Sequence, residues 1–72
     1  MQQNKVNIRE EDYNILKNYI PNIDEELKKG ITEFLFLVDN IMSDTLDREN
    51  NYMPTKDTLV LERIYDTLYQ EN

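Results

Sequence analysis

The chain has no cysteine, no histidine and no tryptophan, and among its 72 residues only one serine, Ser43, and one glycine, Gly30. Without cysteine there is neither a disulfide framework nor a thiolate metal site. Without histidine there is no imidazole general base, no Ser-His triad and no zinc site of the His/Cys kind. Long apolar runs are missing as well. Nothing approaches the roughly 18 residues of a membrane span. Met1-Gln2-Gln3-Asn4-Lys5 lacks the apolar stretch of a signal peptide. A soluble, cytoplasmic chain without membrane contact is expected. Cations are also scarce: eight Lys/Arg face fifteen Asp/Glu, a net charge of -7. Phosphate contacts need Lys and Arg, so no direct nucleic-acid binding is expected, whereas a basic protein surface would suit the charge.

Size adds a second constraint. A chain this short buries only about 60% of its unfolded surface, and a single core of that size rarely supplies more than ~3–5 kcal/mol. With no disulfide and no metal to help, the remaining staple is another protein surface. Homodimerisation is expected on that ground, and because Phe36, Leu37 and Leu59 have no obvious place in a monomer core.

Apolar residues recur at helical spacing in three segments. The first, 8–20, has Asn7 as its cap, acids in its first turns, and Ile8, Ile15, Leu16, Tyr19 and Ile20 on one side; Pro21 ends it. The second, 23–46, carries a stripe of Ile23, Leu27, Ile31, Phe34, Leu35, Val38, Ile41, Met42 and Leu46. It reads as the longest helix, with Gly30 weakening it by roughly 1 kcal/mol without breaking it. Residues 47–54 have no period and end at Pro54, a loop. Thr55 then caps a third helix, 56–70, whose apolar face is Val60, Leu61, Ile64, Tyr65, Leu68 and Tyr69. No segment alternates with period two. The fold class expected is all-α, a small antiparallel three-helix bundle in one domain, paired as a homodimer.

Little in this chain suggests catalysis. Fifteen carboxylates could supply an acid and a base, but such a pair needs a cleft that separates the two pKa values, and a small bundle has little room for one. No catalytic residue and no cofactor is expected. Asp44, Asp47 and Glu49 lie close in sequence, yet a calcium loop needs about six oxygen ligands and a glycine at its sharp turn. That stretch reads as a helix end followed by a polar loop, and no metal is expected.

The second helix offers something less ordinary. Projected at helical pitch, its core direction is set by Leu27, Phe34, Val38 and Ile41, and Phe36 points almost opposite. Around Phe36 lie Lys29, Thr32, Glu33, Asp39, Asn40, Ser43, Asp44 and Asp47, and from Ile31 to Asp47 there is no Lys or Arg. One reading makes this a solvated face with a single exposed aromatic, which needs no special explanation. The other makes it a docking face, with Phe36 as anchor and Glu33, Asp39, Asp44, Asp47 and Glu49 as complementary charges. On a DNA-binding partner those carboxylates would stand where backbone phosphates stand. Tyr13, Tyr19, Tyr65 and Tyr69 are expected at core or boundary positions with their hydroxyls toward water. Tyr52-Met53 is a candidate partner contact, or else a loop segment folded back over the helix ends.

Several short stretches carry a resemblance. Ile8-Arg9-Glu10-Glu11 and Leu16-Lys17-Asn18 in the first segment, and Ile64-Tyr65-Asp66 with the closing Glu71-Asn72, resemble the AbbA-type antirepressors. Those are small helical proteins that bind the regulator AbrB and keep it off DNA. In composition the chain is similar to the small acidic host-takeover proteins of lytic Bacillus phages, some of which imitate DNA to block nucleoid proteins such as HU. The resemblance covers both ends of the chain and skips the middle. It implies inhibition of a DNA-binding protein and assigns no residue. The function expected is therefore a non-enzymatic inhibitor that covers the basic DNA-binding surface of a regulator or nucleoid protein. The alternative is an adaptor that binds through an exposed apolar patch.

Overall fold

Pro21 and Gly30 set the first two boundaries of the fold. A computed structural model of the chain describes residues 6–72, which form four α-helices and no strand. The Met1–Lys5 segment, read above as lacking a leader, lies outside the described residues. Helix α1 is Glu10–Lys17, with Arg9 extended at its N-cap and Glu10, Glu11 and Asp12 filling the first turn. It is shorter than the 8–20 expected. Asn7 does not cap it, because that side chain is engaged at the other end of the chain. At the C-terminal side, proline disfavours helical geometry at the residue before it. The chain therefore leaves the helix through a turn at Asn18–Tyr19, and buried Ile20 and Ile23 flank Pro21.

Helix α2 is only Ile23–Leu27, and α3 begins afresh at Ile31 and runs to Asp44. The single helix expected over 23–46 is thus broken. Gly30 sits between the two pieces at φ 99°, ψ 170°, a region that a Cβ makes essentially inaccessible. Its carbonyl accepts the Phe34 N–H at 3.1 Å and so opens α3 as an N-cap. Glycine here changes the direction of the chain, which is why the count is four helices and the second of the expected helices is not the longest.

After α3 the chain makes one 3-10 turn, Arg48–Asn50, and enters α4, Lys56–Glu71, which starts where the Thr55 cap and Pro54 place it. Helices α3 and α4 form a hairpin that supplies most of the helix-to-helix packing, and α2 lies against α3. The core is Phe34 and Val38 from α3, Leu61, Ile64 and Leu68 from α4, and Leu16 from α1, closed by Val6, Ile20 and Ile23. Ile8, Ile15, Leu27, Ile31, Leu35, Leu37, Ile41 and Met42 are partly buried against it. Val60 and Tyr69, expected on the apolar face of the last helix, are instead exposed; Tyr69 is 69% open to solvent. Helical spacing marks which stripe is apolar, but the edge of that stripe is covered only if a neighbouring helix reaches it.

Candidate binding surface on α3 and the following turn

The sequence singled out six residues, and the structure divides them into two groups. Glu33, Phe36, Asp39 and Asp44 all belong to α3 and all are exposed, Phe36 by 64%. At helical pitch they share an arc of about 140° opposite the buried Phe34 and Val38. From Glu33 to Asp44 the strip is roughly 16 Å long at 1.5 Å per residue. Asp47 and Glu49 lie beyond the helix in the 3-10 turn. There Asp47 Oδ1 accepts the Glu49 N–H at 3.1 Å, and the Asp47 N–H donates to the Met53 carbonyl at 2.9 Å. Asp47 therefore shapes the turn as well as carrying charge. Leu37 is half-buried against the core and adds little to the outer surface.

Among the described residues the carboxylates of this strip stand outside every ion pair, as do Glu10, Glu11, Asp57, Glu62 and Asp66 elsewhere on the surface. Among the described residues the ion pairs are Arg9–Glu71, Lys28–Glu25, Lys29–Glu26 and Arg63–Asp12, and none includes Glu33, Asp39, Asp44, Asp47 or Glu49. Lys29, four residues before Glu33, is held by Glu26 at 3.1 Å, while Arg48, between Asp47 and Glu49, is in none of these pairs. Asp44 is the last residue of α3, and the last turn has no basic residue. The negative end of a helix dipole disfavours an anion there, by roughly 0.3–1 kcal/mol in exposed settings.

The turn itself is tightly defined. Asn50 N–H donates to the Asp47 carbonyl and Met53 N–H to the Asn50 carbonyl, both at 3.1 Å. Asn51 and Tyr52 follow each other in the left-handed region, at φ 57° and 58°. Asparagine tolerates that region; for tyrosine it costs roughly 1–2 kcal/mol. Tyr52 and Met53 stand 62% and 53% exposed.

Behind the turn, three threonines join α3 to α4. Thr45 Oγ1 lies 2.7 Å from both the Met42 carbonyl and Thr58 Oγ1, and Thr55 Oγ1 lies 2.8 Å from the Thr45 carbonyl. Thr55 and Thr58 also exchange backbone-to-hydroxyl bonds as a capping box, at 3.0 and 3.2 Å. Each hydroxyl has one proton, so the donors can be assigned. Carbonyls only accept; Thr45 therefore donates to Met42, and Thr55 donates to the Thr45 carbonyl. The one Thr58 proton then has two acceptors within reach, and the nearer, Thr45 Oγ1 at 2.7 Å, is taken over Thr55 Oγ1 at 3.0 Å. Of this cluster only the Thr55 cap was legible in the sequence.

Two further polar features escaped sequence reasoning. Asp12, one of three consecutive acids, is fully buried and receives Arg63 Nη2 on Oδ1 at 3.1 Å; its Oδ2 has no hydrogen-bond partner among the described residues. At the C-terminal end of α4, Asn72 Oδ1 accepts the Asn7 N–H at 2.8 Å and Asn72 Nδ2 donates to the Asn7 carbonyl at 2.9 Å. Beside them Arg9 Nη2 donates to Glu71 Oε2 at 2.6 Å. That hydrogen bond, with its charge, raises the Arg9 pKa and holds the Glu71 carboxyl below its ordinary range. Tyr13 donates to Asp24 Oδ1 at 2.7 Å, which pushes its phenol up. Burial pushes the Tyr19 phenol up, and the Asp57 carboxylate adds to it.

Among the described residues no three Asp or Glu side chains gather as a metal site, and no helix is long and apolar enough to cross a membrane. No family model, no curated protein and no solved structure matches this chain. Function has to be read from the surface itself.

Proposed function

We propose that the protein is a non-enzymatic cytoplasmic inhibitor that covers the basic DNA-binding surface of a regulator or nucleoid protein with the outer face of α3, acting as a homodimer. The observation that carries this reading is the strip Glu33, Asp39 and Asp44 around exposed Phe36, unpaired among the described residues and ending in an anion where the helix dipole opposes one. A face kept only for solubility gains nothing from an acid at that end of a helix; a lysine would serve better. Carboxylates spaced along one helix attract a basic partner over distance and speed encounter, an effect that salt weakens. Phe36 then supplies the apolar anchor that a purely electrostatic contact lacks.

The experiment is capture from lysate at low and high salt, followed by association kinetics with whatever DNA-binding protein is retained. The triple variant Glu33→Gln, Asp39→Asn, Asp44→Asn, which leaves the turn-forming Asp47 alone, is expected to associate more slowly and with a flatter salt dependence. Asp44→Asn by itself should stabilise the free protein by roughly 0.3–1 kcal/mol while slowing capture. Retention of the same DNA-binding protein by the triple variant, at unchanged rate, would remove the reading. The exposure of Phe36 favours a second one, an adaptor held by the aromatic; there Phe36→Ala abolishes binding and affinity is nearly flat with salt.

A further inference from the structure

Four of the six large apolar side chains that stand exposed among the described residues are Tyr52, Met53, Leu59 and Val60, all at the closed end of the α3–α4 hairpin. This tip is chemically unlike the strip on α3. Within residues 47–60 the charged side chains are Asp47, Arg48, Glu49, Lys56 and Asp57, nearly balanced, on a chain whose net charge is -7. Of the seven Lys and Arg among the described residues, four are engaged in ion pairs. Two of the remaining three, Arg48 and Lys56, flank the tip.

We infer that the tip is where two copies of this chain meet, which deepens the homodimer part of the reading above by locating the contact off the α3 strip of Glu33, Asp39 and Asp44 and by giving Glu49, expected among the docking charges, to the dimer contact instead. Two bodies of like charge approach most easily where each is locally neutral and apolar, and over residues 47–60 the tip meets both conditions. A two-fold contact must also be self-complementary, because the same patch serves on both sides. The tip carries both signs: Arg48 and Lys56 of one copy can face Glu49 and Asp57 of the other, while Tyr52, Met53 and Leu59 are buried between them. Its shape is fixed beforehand. The Asp47–Met53 pairing closes the loop, the threonines hold its base, and Tyr52 is kept in its left-handed conformation. A preorganised knob loses little freedom on association. A contact built on so few side chains belongs to the weak class, below roughly 1,200 Å² of total buried area, so pairing is expected at micromolar and higher concentration.

Such a dimer leaves both α3 strips facing outward, so that it can engage a target through two sites at once. Sedimentation of the full chain from micromolar to near-millimolar concentration tests the placement. A monomer–dimer equilibrium is expected, weakened about tenfold or more by Leu59→Asp or Met53→Asp and unchanged by Phe36→Asp. Circular dichroism verifies that each variant is folded, since all three side chains are exposed. The absence of native cysteine permits a second measurement: oxidised Met53→Cys should give a covalent dimer, and oxidised Asn40→Cys on the α3 face should not. A chain that stays monomeric throughout overturns both the dimer and its placement and leaves the acidic face untouched. A dimer lost in Phe36→Asp, or cross-linked through residue 40 but not 53, overturns the placement and shows that the acidic face is occupied by self-association.

Discussion

The two ends of α4 are tied down in opposite ways. Its N-terminus is bound to α3 by three threonine hydroxyls, neutral and partly buried. Its C-terminus, about 24 Å away at helical rise, is bound to the start of the chain by Asn72, Asn7, Arg9 and Glu71, all exposed and two of them charged. The same helix thus has one end whose attachment is indifferent to pH and salt and one whose attachment depends on both. Between them Asp12 and Arg63 combine the two styles, a charged pair with one member buried and the other half-exposed.

The sharpest way to break this contrast is at the threonines. Thr58→Val removes the only donor for Thr45 Oγ1 and leaves the Thr55 N–H without its acceptor, at a cost of about 2 kcal/mol. Thr58→Ser keeps the hydroxyl and should cost less than half of that, chiefly the lost methyl. Urea unfolding of both variants at two salt concentrations checks the claim: equal losses for Val and Ser, or a loss that changes with salt, would mean that the hydroxyl circuit is not what closes the hairpin.

A smaller effect is expected in the middle of the helix. Arg63→Met keeps the aliphatic stem and strips the buried Asp12 carboxylate of its partner, which should cost about 1–2 kcal/mol once the exposure of Arg63 is allowed for. Asp12→Asn in the same background should recover part of the loss, and a double-mutant cycle measures the coupling. Additive effects would show that the pair is incidental.

The least perturbing test is acid. The Glu71 carboxyl is held below its ordinary 4.5 in the folded chain by its hydrogen bond to Arg9. Its contribution is therefore complete above the unfolded value and disappears as pH falls through the folded one. Amide exchange at Asn7, whose N–H donates to Asn72, should lose protection over that acid range while the Thr58 amide keeps its own. Simultaneous loss at both would mean that the two ends of α4 open together.

Sequence reasoning reached the helical class, the start of α4 and the exposure of Phe36, because each is a local property. Pro54 and Thr55 define a start within a few residues, and an aromatic opposite an apolar stripe is exposed whatever lies elsewhere. What it missed depends on partners distant in sequence. The stripe runs through Leu27 and Ile31 in helical register, so periodicity passes over Gly30 without registering a break; spacing reports which side is buried, not whether the backbone is continuous. Glu10, Glu11 and Asp12 look alike until Arg63 approaches one of them from α4. Asn7 has the chemistry of a cap, yet its side chain donates to the Glu71 carbonyl at the far end of the chain. The acidic strip and the absence of Lys or Arg from Ile31 to Asp47 were legible in the sequence, whereas the pairing of Lys28 and Lys29 with Glu25 and Glu26 became visible only in the structure.

The orientation of the threonine protons bears on how α3 can end as it does. Helices commonly finish with a lysine or arginine, whose positive charge quiets the carbonyls left without partners in the last turn. Here the Met42 and Thr45 carbonyls are served by hydroxyls instead, donors that bring no charge with them. Capping by uncharged groups leaves the last turn of α3 without a basic residue, and Asp44 stands there as its one charged side chain.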